Sequence, residues 1–389
     1  MFIRSIAELR THADRWDDLW LRSGTASPLV RAASIAQWLE HFAPTSAFSA
    51  VAIEDGDRLV AAIPLVQRRW LGVLPLNGFP TDPWSICGEM LIDPTCDPAV
   101  VVPQLLAAFN EHSCLLSVLQ STPLDAPHWK SFCQVARAAG WGISSYEDYH
   151  FDCLTVEGSW SDYLQTRSHA HRRHMQNALR RAEREGGVEL RTHLNPPEDE
   201  IESLLASGFE IEDRSWKGVA GSSVLRSQGK FEFYCRQAKQ MAKHGQLHLA
   251  FLQHTSGPIA FEYGYIAKGA YFSPKIGYDP AYRHLTPGQV LRWLMFKRFF
   301  DEQTVREVDF WGPRTEATSK WATHHYVRGR VILASPRIMG RTMLKAFDTA
   351  RACKAGLREK LRRMSNPTSN LPSQPALGPS VEERTPLAV

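Results

Sequence analysis

The order of apolar and polar positions divides the first half of the chain into helices around a β-hairpin. Apolar residues recur at helical spacing in residues 6–24, where Gly24 marks a helix end, and again in residues 34–43. Two β-rich runs then flank Asp55-Gly56-Asp57, a sequence that favours a hairpin turn. The other elements expected here are helices at residues 101–112 and 128–141 and a short buried strand at residues 115–120.

The second half has a different order, with strands concentrated in its middle. Three β-like runs, 246–254, 258–267 and 270–278, follow one another across short turns and predict an antiparallel meander. The remaining predicted elements are a strand at 149–158, one long basic helix at 159–187, a strand at 188–193, helices at 197–216, 230–245 and Gln289–Gln303, and strands at 305–311 and 330–335. We therefore expect an α/β or α+β fold, with a mixed sheet and helices on both faces.

Each half contains a hairpin strand with the same apolar-Ala-x-apolar pattern, LVAAIPLV at residues 59–66 and PIAFEYGY at residues 258–265. A duplicated fold explains this likeness, and so does the general similarity of hairpins. The pattern alone leaves both explanations open.

Length and composition set the organisation. A chain of 389 residues exceeds the roughly 250–300 residues that one hydrophobic core supports, so we expect two domains, at residues 1–150 and 151–336. A net charge of +4 is too small to indicate DNA binding. The seven cysteines contain no CxxC pair, which argues against disulfides and a zinc site, and no signal peptide or membrane span is expected, so the cytoplasm is the simplest location.

The C-terminal segment separates into two parts. Residues 337–363 are basic with apolar residues at helical spacing, and residues 364–389 are rich in Pro and Ser and predicted to be disordered. The basic helix suits peripheral contact with an anionic membrane or a partner. The alternative, which we favour, is a solvated terminal helix that packs one stripe on its own domain.

The segment from Tyr278 to Gly288 carries the strongest chemical signal. It leads from a strand end through a loop to Pro287-Gly288, at the start of an amphipathic helix. Helix N-termini attract anions, Gly288 permits close approach, and Arg283 offers a bidentate partner, so the segment suits a phosphate-bearing ligand. The alternative is an ordinary helix start capped by Thr286, with Pro287 in its first position.

Several segments, in this order, resemble a known group of enzymes. They are SWKG (Ser215–Gly218), GPIAFEYGY (257–265), YDPAYRHLTPGQVL (Tyr278–Leu291) and DFWGPRTEATSKW (Asp309–Trp321), preceded by the basic helix with Arg167, Arg172, Arg173, Arg180 and Arg181. Together they resemble the BioF2-like and CelD-like (cellulose biosynthesis) acyltransferases of the Gcn5-related N-acetyltransferase (GNAT) superfamily, which are similar to the FemAB aminoacyltransferases. The resemblance covers most of residues 150–335 and, more faintly, residues 1–150.

The resemblance implies two tandem GNAT-like folds with mixed central sheets, a degenerate one at residues 1–150 and a catalytic one at 151–336. It also implies that acyl-CoA is the co-substrate and that Arg283, Thr286, Gly288 and Gln289 cradle its pyrophosphate. The sequence departs from the superfamily's glycine pattern, because only Gly288 is present and Pro287 has no N–H to donate. The donor therefore stays open between acyl-CoA and the aminoacyl-tRNA that FemAB-type relatives use.

The reaction expected of this fold is direct attack by an amine on a thioester or ester carbonyl, which requires a general base. The carboxylate candidates are Glu262, Asp309 and Glu316. Burial in the apolar strand would raise the basicity of Glu262, whereas the alternative places it on a solvated strand face. Asp309, at the end of a strand, either orients substrate or caps the following loop.

Two further residues are candidates for the site. Lys320 either neutralises an anionic substrate group or is simply exposed, and Tyr282 is one of several possible general acids that are otherwise packing residues. We expect no metal at His169, His171 and His174, because their spacing lacks an i, i+4 pair, and no cysteine nucleophile.

The expected function is transfer of an acyl group, acetyl in the simplest case, from acyl-CoA to an amine of a sugar, lipid or polysaccharide precursor. The alternatives are FemAB-like aminoacyl transfer from tRNA, with the basic helix contacting RNA phosphates, and a non-catalytic binding protein with a degenerate fold.

Overall fold

The computed structural model describes residues 1–70, 72–112 and 114–365, which form two compact units. The first unit holds residues 1–25 and 29–149 and the described residues from 327 onward, and the second holds residues 26–28 and 150–326. The chain changes unit after residues 25, 28, 149 and 326. From residue 366 onward the predicted disordered tail lies outside the described residues. The predicted second domain, residues 151–336, includes residues 327–336, which belong to the first compact unit. The predicted domain bounds stay a prediction.

In the described part of the chain, a short N-terminal strand and three α-helices precede a run of four strands, and helices and strands then alternate up to residue 155. In chain order they are β1 (Phe2–Ile3), α1 (Ile6–Thr11), α2 (Ala13–Arg22), α3 (Ala32–Phe42), β2 (Phe48–Asp55), β3 (Arg58–Trp70), β4 (Leu74–Gly78), β5 (Leu91–Ile92), α4 (Pro98–His112), β6 (Leu116–Pro123), α5 (Pro127–Ala138) and β7 (Gly142–Thr155). The predicted hairpin is confirmed, since β2 and β3 pair antiparallel across Asp55↔Arg58.

The remaining elements contain the predicted meander. They are α6 (Trp160–Gln165), α7 (His169–Arg184), β8 (Val188–Leu194), α8 (Glu198–Asp213), α9 (Trp216–Val219), α10 (Lys230–Lys243), β9 (Leu247–His254), β10 (Gly257–Ala267), β11 (Ala270–Tyr278), a 3-10 turn (Pro280–Leu285), α11 (Pro287–Glu302), β12 (Glu307–Pro313), α12 (Glu316–Ser319), β13 (His324–Ala334) and α13 (Ile338–Ser365). Strands β9, β10 and β11 pair antiparallel as expected.

The same strand order occurs in both units. In the first unit the order is β1-β2-β3-β4-β6-β13, and in the second it is β8-β9-β10-β11-β12-β7. In each case three antiparallel pairings are followed by one parallel pair, β4 with β6 and β11 with β12, and then by one antiparallel pair. The expected α/β class is confirmed, with mixed sheets flanked by helices, and the repeated order favours the duplicated-fold explanation over chance likeness of hairpins.

Two helix predictions were wrong in detail. The single long helix expected at residues 159–187 is two helices, because Ser168 accepts a hydrogen bond from the His171 amide and starts α7 as its N-cap. Helix α11 was expected to expose one face, but it is buried on most of its surface. Its outer side is covered by α6, where Trp160 contacts Trp293 and Tyr163 stacks on Phe300.

Each unit has its own hydrophobic core. In the first, Phe79, Phe109, Trp129 and Phe132 pack between the sheet and α4 and α5. In the second, the core lies between the sheet and α6, α7 and α11. The basic helix α13 packs Leu344 and Phe347 in a small cluster with β6. This packing agrees with the favoured expectation of a terminal helix with one stripe against the protein. Among the described helices, none has an apolar stretch long enough to cross a bilayer.

Candidate functional site

The site predicted from the sequence lies where two parallel strands of the second unit separate. Strands β11 and β12 pair only from Ala270↔Glu307 to Phe272↔Asp309, although β11 continues to Tyr278 and β12 to Pro313. Beyond those pairs the two strands no longer bond to each other. We call this opening the fork and its closed end, at Phe272 and Asp309, the vertex. Facing strand edges that are not paired with each other can receive an extended ligand.

A buried ion-pair network occupies one face of the sheet at the vertex. Glu262 on β10 has no exposed surface, so the solvated-face alternative for it is wrong. Its Oε2 accepts a hydrogen bond from Nε of Arg292 at 2.9 Å, and its Oε1 accepts one from the Tyr271 hydroxyl at 3.1 Å. Arg292 also donates to Oγ of Ser273 at 3.1 Å and lies over the Phe310 ring. Burial and the Glu262 charge hold the pKa of Tyr271 well above its usual value, so its hydroxyl stays a donor.

The loop at the open end of the fork is built around an unusual threonine. Thr286 has φ 50° and ψ 53°, a left-handed conformation that a β-branched residue seldom adopts. Its side chain does not cap α11, and its Oγ1 is a buried atom without a hydrogen-bond partner among the described residues. The alternative of an ordinary Thr-capped helix is therefore wrong.

Few backbone donors remain at the start of α11. Pro287 has no N–H, and the amides of Gln289 and Val290 both donate to the Thr286 carbonyl. The Gly288 amide has no partner among the described residues. A Cβ on Gly288 would lie 3.6 Å from Ile276 Cδ1 and 3.8 Å from Tyr278 Cδ1, which is ordinary contact. Nearby, Arg283 is exposed. The segment before α11 thus contains one amide and one hydroxyl without partners among the described residues, and one exposed arginine, where helix geometry favours an anion.

Three side chains link α11 to α7 through Trp321, which follows α12. The indole Nε1 of Trp321 donates to Oε1 of Gln289 at 2.7 Å, so Gln289 is held in place by a contact within the protein. The His171 ring packs edge-on against Trp321 at 4.6 Å. Burial, together with the charge of Lys320, lowers the pKa of His171 to about 4, so the imidazole is neutral at pH 7. Its Nε2 has no partner among the described residues.

Asp309 lies on the opposite face of the sheet from Glu262. It pairs with Phe272, one position along from the core-facing pair Tyr271 and Val308. One carboxylate oxygen accepts from the Trp311 amide at 2.7 Å and the other from the Tyr326 hydroxyl at 2.7 Å. Trp311 has a positive φ of 46°. These contacts match the expectation that Asp309 caps the following loop.

The other predicted residues lie at the exposed rim of the fork, which we define as Arg283, Glu316 and Lys320. Lys320 pairs with Glu316 at 2.8 Å across one turn of α12, with about half of the lysine side chain exposed. Lys320 lowers the pKa of Glu316 below its usual value and so weakens that carboxylate as a base. Tyr282, on the 3-10 turn, shares a 2.6 Å hydrogen bond with Ser256.

The structure therefore separates the predicted residues into three groups. Glu262 lies at the vertex on the α11 face, and Asp309 lies on the opposite face. The loop of residues 279–288, which we call the donor loop, and Lys320 lie toward the open end. Sequence reasoning missed Arg292, Trp321 and the role of His171. The first of these had a signal, an arginine at an otherwise apolar position of the amphipathic helix.

The corresponding connection in the first unit has another form. There, residues 79–97 separate β4 from α4 and include the short strand β5, whereas in the second unit only residues 279–286 separate β11 from α11. No helix start follows β4 directly. Of the two units with this strand order, only the second has a short loop that leads from the corresponding strand, β11, directly into a helix, α11.

Comparison with known proteins matches a domain that lies within the second unit. Residues 169–320, from α7 to the end of α12, match the family model described as an acetyltransferase (GNAT) domain. The second unit carries an acyltransferase domain. The expectation that this protein is an enzyme of the acyltransferase class is thereby confirmed.

Solved structures show the same fold. A conserved protein of unknown function from Bacteroides thetaiotaomicron VPI-5482 is similar over 86% of this chain and 100% of its own, with a TM-score of 0.54 and 10% identity. FemX is similar over 82% of this chain and 95% of its own, with a TM-score of 0.56 and 9% identity. Both likenesses extend over the two units, and at these identities they speak for the fold alone. The sequence has no significant match among curated proteins.

Proposed function

We propose that the second unit transfers an acyl group, acetyl in the simplest case, from acyl-CoA to the amine of a small acceptor. The observation that carries this proposal is the pair of unpartnered donors, the Gly288 amide and the Thr286 hydroxyl, at the open end of the fork. An anion bound there satisfies both donors and meets the positive end of the α11 dipole.

The donor's extended arm would then run along the fork toward the vertex. Its pyrophosphate would be held by Gly288, Thr286 and Arg283, and Gln289 would shape the site while bonded to Trp321. Acyl-CoA is a separate co-substrate in this scheme. These residues fit the pyrophosphate of acyl-CoA less completely than the superfamily's glycine pattern would, because Pro287 has no backbone N–H to donate.

The chemical step is attack of the acceptor nitrogen on the thioester carbonyl. The new C–N bond forms, the C–S bond breaks, the thiolate leaves with the electron pair, and the amine proton passes to a base. We propose Glu262 as that base. Its two oxygens are engaged by Arg292 and Tyr271 in the structure, so the role requires one of these contacts to open when substrates bind.

The other predicted residues take supporting roles in this proposal. Asp309 holds the β12 loop through Trp311 and Tyr326, and Lys320 neutralises an anionic group of donor or acceptor at the rim. Tyr282 supplies a hydroxyl beside the donor loop. The BioF2-like and CelD-like resemblance supports a sugar, lipid or polysaccharide precursor of the cell envelope as the acceptor, in a cytoplasmic reaction.

A panel of donors tests the proposal. Thermal unfolding is followed with acetyl-CoA, longer acyl-CoAs and free CoA, since a ligand bound only by the folded state raises the midpoint. We expect saturable stabilisation by at least one thioester and release of free thiol when an amine acceptor is added. A chain that no thioester stabilises, and that releases no thiol with amino-sugar acceptors, would sink the proposal.

One observation favours a second candidate, aminoacyl transfer from tRNA as in the FemAB enzymes. The fold likeness to FemX spans both units, and α7 presents Arg173, Arg180 and Arg184 to solvent. Arg181 of the same helix donates to the His284 carbonyl in the donor loop, so this basic face adjoins the proposed anion site.

Salt dependence separates the two donors. Binding of aminoacyl-tRNA through phosphates should weaken steeply between 50 and 200 mM salt, by roughly 10³-fold for about six contacts. Charge reversal of Arg180 and Arg184 should abolish tRNA binding and leave acetyl-CoA binding within about two-fold. Stabilisation by neither donor favours the non-catalytic binding protein.

A further inference from the structure

A second cluster of reactive side chains lies at the other end of β12, away from the opening of the fork. Cys153 on β7, Glu307 on β12 and His324 on β13 each offer one ligand atom, and these atoms all lie within 4.8 Å of one another. We propose that the trio binds one divalent transition-metal ion, with Zn²⁺ as the best chemical fit. The proposal involves none of the residues assigned to acyl transfer and stands independently of the proposed function.

Strand register brings the three residues together. Glu307 pairs with Thr155, and Asp309 pairs with Cys153. Because side chains alternate along a strand, Cys153 and Glu307 project from the same face, while Leu154 and Val308 enter the core on the other. The Thr323 amide donates to the Cys153 carbonyl at 2.8 Å, which holds the neighbouring His324 beside the pair.

The imidazole of His324 is oriented as a metal ligand would be. Its Nδ1 lies 3.2 Å from the Thr323 hydroxyl and 3.4 Å from the Thr155 hydroxyl. Its Nε2 faces Glu307, 3.4 Å from Oε2. In metal sites the ring nitrogen away from the ion is usually held by a hydrogen bond, which fixes the tautomer and the ring plane. The two threonines supply that contact here.

The donor set and its spacing suit zinc. Thiolate, imidazole and carboxylate are its usual ligands, and bonds of about 2.0–2.3 Å set tetrahedral ligand atoms roughly 3.3–3.8 Å apart. The side chains of Glu307 and His324 are 44% and 45% exposed, so small rotations close the remaining gap toward the buried Cys153 sulfur. Water takes the fourth position.

Binding converts the Cys153 thiol to a thiolate and releases its proton to solvent. The thiolate and the carboxylate then balance the two positive charges of the ion. The ion would join β7, β12 and the start of β13 beside the vertex. It therefore stabilises the folded second unit by mass action.

Cobalt titration of the reduced full-length chain tests the site. We expect one Co²⁺ per chain, with the near-ultraviolet absorption of a cobalt–thiolate bond, and displacement of that absorption by one equivalent of Zn²⁺. Cys153→Ser should abolish the thiolate absorption, and His324→Ala should weaken Zn²⁺ binding by about 10-fold or more. Zn²⁺ should also raise the unfolding midpoint of the wild-type chain.

Two matched controls keep the outcome clear. His325→Ala removes the adjacent histidine, which contacts His150, and Cys235→Ser removes another buried thiol of the same unit. Both should bind Zn²⁺ like the wild type. Zn²⁺ binding that is unchanged in Cys153→Ser, or an absence of any thiolate absorption in the folded wild-type chain, overturns the proposal.

Discussion

The vertex and the rim of the fork each contain a Glu paired with a basic residue, and the two pairs lie in opposite environments. Glu262 and Arg292 at the vertex are 0% and 5% exposed, whereas the Glu316 and Lys320 side chains at the rim are 79% and 47% exposed. Sequence patterns nominated a carboxylate from each pair as the base. Burial decides what each pair can do: the first must open one of its contacts before it can meet a substrate, whereas the second is already exposed to solvent.

Removing one partner of the vertex pair should give the largest effect. Arg292→Met leaves the Glu262 carboxylate buried without its countercharge, which typically costs about 3–5 kcal/mol. Urea unfolding should therefore show a large loss of stability. Arg283→Met at the rim is the matched control and should leave stability unchanged. The double variant Glu262→Leu with Arg292→Met should recover part of the loss, and a double variant less stable than Arg292→Met would contradict the ion-pair account.

The buried histidine that packs against Trp321 should make stability depend on pH. The folded-state pKa of His171, about 4, lies below its unfolded value near 6.5. The unfolded chain therefore binds a proton first as the pH falls, so the contribution of neutral His171 is complete above about pH 6.5 and is lost toward pH 4. In His171→Gln the slope of unfolding free energy between pH 6 and 4.5 should shrink by up to about 1.4 kcal/mol per pH unit.

The neighbouring histidine provides the comparison for that slope. His169→Gln changes an exposed residue on the first turn of the same helix and should leave the slope as in the wild type. An identical slope in the wild type and in His171→Gln would show that His171 titrates freely and is not held neutral by the packing around Trp321.

A smaller effect is expected at the residue before α11, where the backbone is strained. Thr286 holds a left-handed conformation, for which a non-glycine residue costs roughly 1–2 kcal/mol. Thr286→Gly relieves that strain but adds freedom to the unfolded chain, so we expect a net gain of about 1 kcal/mol in unfolding free energy. Donor binding should weaken because the hydroxyl is lost. Destabilisation by Thr286→Gly would mean that the hydroxyl serves the fold rather than a ligand.

The rim ion pair should have the smallest effect on stability. Lys320→Ala breaks only an exposed pair on α12, and its unfolding midpoint should match that of the wild type. Its KM for the donor or acceptor should nevertheless rise several-fold if the lysine meets an anionic group. Lys297→Ala, which breaks a similar exposed pair on α11, is the control and should change neither quantity. A large stability loss in Lys320→Ala would remove the distinction between the rim and the vertex.

The helix start at Pro287-Gly288 could be predicted from the sequence, whereas the contacts at the vertex could not, for a physical reason. Pro287-Gly288 and the preceding loop indicate a helix start from adjacent residues, and the assignment of Arg283, Thr286 and Gly288 to a ligand site stays a prediction. The contact between Glu262 and Arg292 joins residues thirty positions apart, and only the packing of α11 on the meander creates it. The link from His171 through Trp321 to Gln289 depends in the same way on three separate elements.

The strand meander and most helices were also predictable, because each follows from a local period of apolar residues. The errors arose where tertiary packing replaces that period. Helix α11 is covered by α6 along part of its outer side, so its exposed residues are confined to its last turns. The break before α7 depends on a single capping serine, Ser168, whose signal is hidden within a long helical pattern.

Titration calorimetry of the full-length chain with acyl-CoA tests the central claim most directly. We predict one binding site per chain. In Gly288→Ala the added methyl fits the protein at ordinary contact distance but blocks the anion, so affinity should fall by about 10-fold or more, equivalent to about 1.4 kcal/mol. Gly24→Ala, where a Cβ meets open space in the first unit, should bind like the wild type. Acyl-CoA binding of equal strength in all three chains would contradict a donor site at the start of α11.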